Sequence, residues 1–133
     1  MNKENTTKLF AEFPILYLGK DLPITENLMP FGFMCGDGWF NLVYNLSKKI
    51  ETHNNNQVRI YAENASLVIA TEVKEKYGEL RFYVGTACSE IYNMIDEVEH
   101  ASRFVCENCG EPGKNEWDND LARTRCEKCR EEK

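Results

Sequence analysis

The sequence predicts an α+β domain, helices packed on a small antiparallel hairpin or sheet, ending in a four-cysteine metal module. Three observations carry that reading. Two stretches repeat apolar residues at helical spacing, shorter runs between them have strand character, and the last quarter holds two Cys-x-x-Cys pairs.

Residues 1–13 begin polar and turn apolar at Leu9, Phe10 and Phe13, with Thr6 or Thr7 placed to cap a short helix that stops before Pro14. Residues 14–30 set Pro14, Gly19, Pro23 and Pro30 among Ile15, Leu16, Leu18 and Leu22, the composition of a loop that packs on a core. Gly36-Asp37-Gly38 breaks the chain, and Asp37 is positioned to accept the free N–H groups of a following helix. In that helix Trp39, Leu42, Val43, Leu46 and Ile50 form one apolar stripe, and Asn54-Asn55-Asn56 reads as its end. No second carboxylate or phosphate-loop lysine accompanies Gly-Asp-Gly, so a ligand loop is the weaker reading of it.

Val58, Ile60 and the run from Ser66 to Val73 have strand character, as does Leu80-Arg81-Phe82-Tyr83-Val84. Glu75-Lys76-Tyr77-Gly78 between the last two reads as a four-residue hairpin loop. That length sets Val73 opposite Leu80 on the core face, with Lys74 facing Glu79 and Glu72 facing Arg81 outside. A three-residue loop would set Val73 against Arg81 and break both sets. Ser89 then caps a second helix, with Ile91, Met94, Ile95 and Val98 on its apolar side and Glu90, Asp96, Glu97 and Glu99 on the others.

Cys106-Glu107-Asn108-Cys109 and Cys126-Glu127-Lys128-Cys129 are separated by sixteen residues, within the spacing of a four-thiolate zinc site. Two intervening residues let one tight turn present both sulfurs to the same ion, and two such turns complete a tetrahedron. The expected cofactor is Zn2+ in a zinc ribbon or treble-clef-like module covered by Trp117 and Leu121. The expected division is an α+β body over 1–103 and a zinc-binding module over 104–133 that depends on its metal to fold. Cys35 and Cys88, each beside an apolar residue, read as buried free thiols.

Four thiolates close the coordination shell, so the metal is expected to be structural. His53 and His100 fall on polar helix faces, and no nucleophile motif, phosphate loop or dinucleotide fingerprint is present. The expectation is a protein without enzymatic activity. The start of the chain lacks the pattern of a signal peptide and no run is apolar enough to span a membrane, so the expected location is the cytoplasm. The formal charge is −6, and a zinc tetrathiolate lowers it by a further two, to −8. Such a molecule is drawn to basic surfaces and repelled by free nucleic acid. From Arg103 to Lys133 seven basic residues stand against eight acidic ones, without the basic excess of a nucleic-acid-binding ribbon. Glu90, Asp96, Glu97 and Glu99 are the candidate partner-binding residues, and Arg123 and Arg125 are the candidate phosphate contacts.

Gly36-Asp37-Gly38-Trp39, the run Val73-Lys74-Glu75-Lys76-Tyr77-Gly78-Glu79-Leu80-Arg81-Phe82-Tyr83, and Cys106-x-x-Cys109-Gly110-x-Pro112-Gly113 with a closing cysteine pair resemble a family of small phage and prophage proteins. The resemblance runs from about Leu9 to Cys129, and Glu79 departs from it where glycine is expected. It implies a zinc-bearing α+β domain in a mobile-element setting and no particular activity. In that setting a small acidic protein is expected to act by protein contact, as an anti-defence inhibitor of a bacterial host nucleoprotein such as an RNA-guided CRISPR nuclease. The alternative is a nucleic-acid-binding accessory factor using Arg123 and Arg125.

Overall fold

The computed structural model describes residues 1–131, so Glu132 and Lys133, both counted above, lie outside the described residues. Its architecture is α+β, with a three-stranded sheet under helices and a two-stranded hairpin in the C-terminal quarter. Helix α1 (Lys3–Glu12) starts before the threonines. Asn2 caps it instead, its side-chain oxygen accepting from the Asn5 N–H at 2.8 Å, while Thr6 donates back to the Asn2 carbonyl. Asp37 does not cap its own helix. Its carboxylate accepts from the Asn2 N–H at 2.7 Å and the Asn5 amide at 3.2 Å, tying α1 to the Gly-Asp-Gly turn.

Within the loop that follows, Leu16, Tyr17 and Met29 are buried, whereas Leu18 and Leu22 face solvent, contrary to expectation. The loop is pinned by Glu51, a buried carboxylate that accepts from the backbone N–H groups of Ile15 at 3.0 Å and Leu16 at 2.9 Å. Glu51 belongs to α2 (Phe40–Tyr61), which carries the expected stripe of Val43, Leu46 and Ile50 but does not stop at the asparagines. Asn54 is buried on the same side. Its amide donates to the Val68 carbonyl at 2.9 Å and accepts from the Val68 N–H at 2.8 Å, so it clamps a neighbouring segment and leaves the helix backbone intact. Val58 and Ile60 are therefore helical, with exposed side chains.

The sheet consists of β1 (Phe33–Met34), β2 (Ala70–Lys76) and β3 (Glu79–Val84) in that spatial order, β1 parallel and β3 antiparallel to β2. The hairpin loop is two residues, Tyr77-Gly78, not four. Val73 pairs with Phe82, Glu75 with Leu80 and Lys76 with Glu79. Tyr77 and Gly78 both have positive φ, +55° and +78°, the backbone of a type I′ turn whose twist matches the strands it joins. The change from four residues to two moves every pair by an even step, so all side chains keep their faces and the apolar pattern alone does not separate the two loops. The charge pairing does change. Lys74 lies opposite Arg81, and each is neutralised along its own strand, by Glu72 at 3.5 Å and Glu79 at 3.6 Å.

Helix α3 (Ser89–Ala101) buries Ile91 and Ile95 against the body; Cys88 occupies its cap position with no side-chain hydrogen bond, so Ser89 is not the cap. Cys88 is exposed, whereas Cys35 is buried as expected, and burial pushes its thiol up to about 12. The outer edge of β3 is closed by side chains from beneath α3's end. The Leu80 N–H donates to Ser102 Oγ at 2.9 Å and the Phe82 N–H to Glu99 Oε2 at 2.9 Å. The core enclosed by these layers contains Tyr17, Trp39, Leu46, Val73 and Leu80, each large side chain contributing roughly 1.5–3 kcal/mol by leaving water.

Candidate metal centre

The first cysteine pair lies on a tight knuckle. The Cys106 N–H donates to the Glu111 carbonyl at 2.7 Å and the Gly110 N–H to the Cys106 carbonyl at 2.9 Å. Gly110 closes the turn at φ +85°, where a side chain would be strained. An antiparallel hairpin follows, β4 (Lys114–Asp118) with β5 (Leu121–Arg125). The short helix α4 (Glu127–Glu131) begins at once, with Cys126 just before it and Cys129 within it. Cys126 Sγ accepts the Cys129 N–H at 3.4 Å, which satisfies a free donor of the first turn. Knuckle, hairpin, helix is the treble-clef order, so of the two expected arrangements this is the one found.

The fold brings Cys106, Cys109, Cys126 and Cys129 together, all four sulfurs within 4.8 Å of one another. Cys109 and Cys126 Sγ are 3.6 Å apart, close to the edge of about 3.8 Å expected for a tetrahedron with metal–sulfur bonds near 2.3 Å. A disulfide would need about 2.05 Å. The donor set thus fits a metal ion with a closed thiolate shell. Asn108 donates its amide to Cys129 Sγ at 3.2 Å, orienting that ligand from outside the shell. Burial pushes the Cys106 thiol up, but the backbone N–H groups of Cys126, Cys109 and Asn108 outweigh it and bring the thiol down to about 6. At Cys109 and Cys129 the Glu111 N–H and the Asn108 amide, respectively, are outweighed by the neighbouring sulfurs, and those thiols are raised.

The body holds this site directly. Gly36 donates its N–H to Glu107 Oε2 at 2.9 Å, and the buried Trp39 donates its indole N–H to the Val105 carbonyl at 2.8 Å. On the opposite side Thr124 Oγ1 donates to the Gly78 carbonyl at 2.5 Å and Asn115 to the Tyr77 carbonyl at 3.2 Å, locking the β4–β5 hairpin onto the tip of the β2–β3 hairpin. Gly-Asp-Gly-Trp and Tyr77-Gly78 are thus the two surfaces that receive the metal module.

Trp117 and Leu121 do not cover the metal site. Both are exposed, and Trp117 stacks on Tyr77 with ring centroids 6.1 Å apart and planes at 25°. Buried in their place are Ala122 and Thr124. Of the two candidate arginines, Arg123 is exposed opposite Glu116 and Arg125 is half-buried opposite Lys114, its Nε without a hydrogen-bond partner. Glu90, Asp96 and Glu97 are exposed on α3, and no ion pair among the described residues involves them. Glu99 is turned inward to the Phe82 N–H and serves the sheet edge. Sequence reasoning missed the Tyr77–Trp117 pair; a tyrosine standing before glycine in a two-residue turn was the available signal.

Scans of the chain against protein-family models, curated proteins and solved structures returned no match. No helix among the described residues is long and apolar enough to cross a membrane.

Proposed function

We propose that the chain is a zinc-stabilised docking protein that acts by contact with a basic protein or nucleoprotein. Zinc is the ion assigned to the four cysteines, because a closed shell of thiolates at these separations suits it and leaves no open position for substrate. The observation that carries the docking reading is the exposed side of α3. Its thirteen residues include four carboxylates and no lysine or arginine. Glu90 and Glu97, seven residues apart, lie on one stripe, Asp96 stands beside it, and none of the three has a cation partner among the described residues. Unpaired carboxylates on a rigid helix attract a basic surface without first breaking internal ion pairs.

The test is charge reversal. Glu90→Lys together with Glu97→Lys is expected to weaken binding to a basic partner and to reduce the salt dependence of association, while Glu99→Gln leaves binding unchanged because Glu99 faces the sheet. Equal binding by the double reversal and the parent would overturn the proposal. The narrower form of the reading, inhibition of an RNA-guided nuclease in a bacterial host, rests on the mobile-element setting that the motif resemblance implies. Its test is the rate at which such a purified effector cleaves its target in the presence of the metal-loaded protein.

A further inference from the structure

The turn at Tyr77-Gly78 keeps an aromatic ring where backbone preference disfavours one. Tyr77 sits at φ +55°, a region that costs a non-glycine residue about 1 kcal/mol or more, yet its side chain is 61% exposed and buries little to offset that cost. What the ring does make is the stack with Trp117, itself 62% exposed. Both rings are fixed from below, Tyr77 by the hydrogen bonds from Asn115 and Thr124 to its turn and Trp117 by its place in β4. Lys76 lies over the Tyr77 ring at 5.7 Å.

Beside Trp117 opens a cleft of about 640 Å³ whose walls include Arg123, Arg125 and Arg130 as well as Glu116 and Asp118. Arg130 is engaged by Glu116 at 3.5 Å and by the Lys114 carbonyl. Arg123 and Arg125 make no ion pair among the described residues, and Arg125 Nε is buried without an acceptor. Trp117 pairs with Ala122 and shares its face, whereas Arg123 and Arg125 alternate onto the other face of β5. In a chain of net charge −6, two arginines without ion pairs among the described residues thus lie across the hairpin from the exposed rings, with Trp117 bordering both.

We propose that this hairpin binds single-stranded nucleic acid, a base stacking on the exposed Tyr77–Trp117 pair and the strand passing round the hairpin at Trp117 so that its phosphates meet Arg123 and Arg125 on the other face. Flat rings with neighbouring arginines suit unpaired bases and backbone phosphates, whereas a duplex hides the base faces the rings would need. The acidity of the rest of the molecule keeps the affinity modest, and two phosphate contacts give a shallow salt dependence, a log–log slope of about −1.4. The inference uses none of the α3 residues and stands or falls apart from the docking reading above.

The experiment exploits the two tryptophans. Trp39 is fully buried, so quenching by an added oligonucleotide reports on Trp117. The metal-loaded protein is titrated at low salt with a uridine or thymidine oligomer of about twelve nucleotides. Quenching is expected, with binding about tenfold or more weaker for Tyr77→Gly, and likewise for Trp117→Ala when followed by the anisotropy of an end-labelled oligomer, since that variant lacks the reporter. Tyr77→Gly relieves the positive φ and so folds at least as well as the parent, which separates lost binding from lost structure. Arg123→Ala with Arg125→Ala is expected to flatten the salt dependence. Absent quenching, a duplex binding as tightly as the single strand, or unchanged binding by Tyr77→Gly would each overturn the proposal. Quenching by a basic protein but not by the oligomer would show a protein-docking face and overturn it equally.

Discussion

The backbone N–H of Gly38 donates to the carbonyl of Glu107 at 2.7 Å, and this bond joins the turn before α2 to the first cysteine knuckle. The approach leaves no room for a side chain. A Cβ added to Gly38 would stand 2.6 Å from that carbonyl oxygen and 2.1 Å from the carbonyl oxygen of Cys106, both backbone atoms with nowhere to yield. Gly38→Ala is therefore expected to destabilise the protein by about 2–3 kcal/mol, a fall of roughly ten degrees in Tm, and to loosen metal retention. Asp37→Ala, which removes only exposed hydrogen bonds to Asn2 and Asn5, is expected to cost under about 1 kcal/mol. Thermal melts of the two variants check the contrast.

Loss of the metal should be felt inside the body. Trp39 donates to Val105, the residue before the first ligand, so its environment depends on the knuckle. In a Trp117→Phe background, where Trp39 is the remaining tryptophan, chelation or Cys109→Ser is expected to shift emission to the red while most far-UV helical signal persists. An unshifted emission maximum after verified metal loss would mean that the Trp39 pocket holds without the knuckle.

Asn54 carries two hydrogen bonds to one buried residue. Asn54→Ala leaves both the N–H and the carbonyl of Val68 without partners in the core, at an expected cost of about 2–4 kcal/mol, whereas Asn55→Ala on the exposed face should lie within about 0.5 kcal/mol. Urea unfolding midpoints measure both.

These residues also show where the sequence was legible. The helix stripes ending in Ile50 and Ile95 and the clustering of the four cysteines were readable because period and spacing are properties of the chain itself. The asparagine run misled because Asn54 acts on Val68, fourteen residues away, and no local rule announces a side chain that serves another segment. The hairpin register was ambiguous because an even shift preserves every face, and only the turn backbone at Tyr77 and Gly78 settles it. Trp117 was assigned to the metal site from its position between the ligand pairs. Its true partner, Tyr77, lies forty residues earlier in the chain, so the stack is a product of docking two hairpins. Glu99 looked like one more surface carboxylate until the edge of β3 supplied it with the Phe82 N–H.

That last placement gives stability a pH dependence with a definite sign. Burial raises the Glu99 carboxyl above its ordinary value of 4.5, and the Phe82 N–H and the Arg81 guanidinium only partly oppose the rise. A carboxyl whose folded pKa exceeds its unfolded one holds a proton in the native state that the unfolded chain gives up. Its contribution is fully present below the unfolded value and is lost as pH rises through the folded value. Glu99→Gln keeps an acceptor for Phe82 and removes the titration, so relative to this variant the parent is expected to lose stability as pH rises from about 4.5 toward neutrality. Protonation of the four clustered cysteines affects both proteins alike and cancels in the difference. Urea midpoints measured in parallel across that range give the slope, and a parent that instead gains on the variant with rising pH would show that Phe82 and Arg81 stabilise the carboxylate by more than burial costs it.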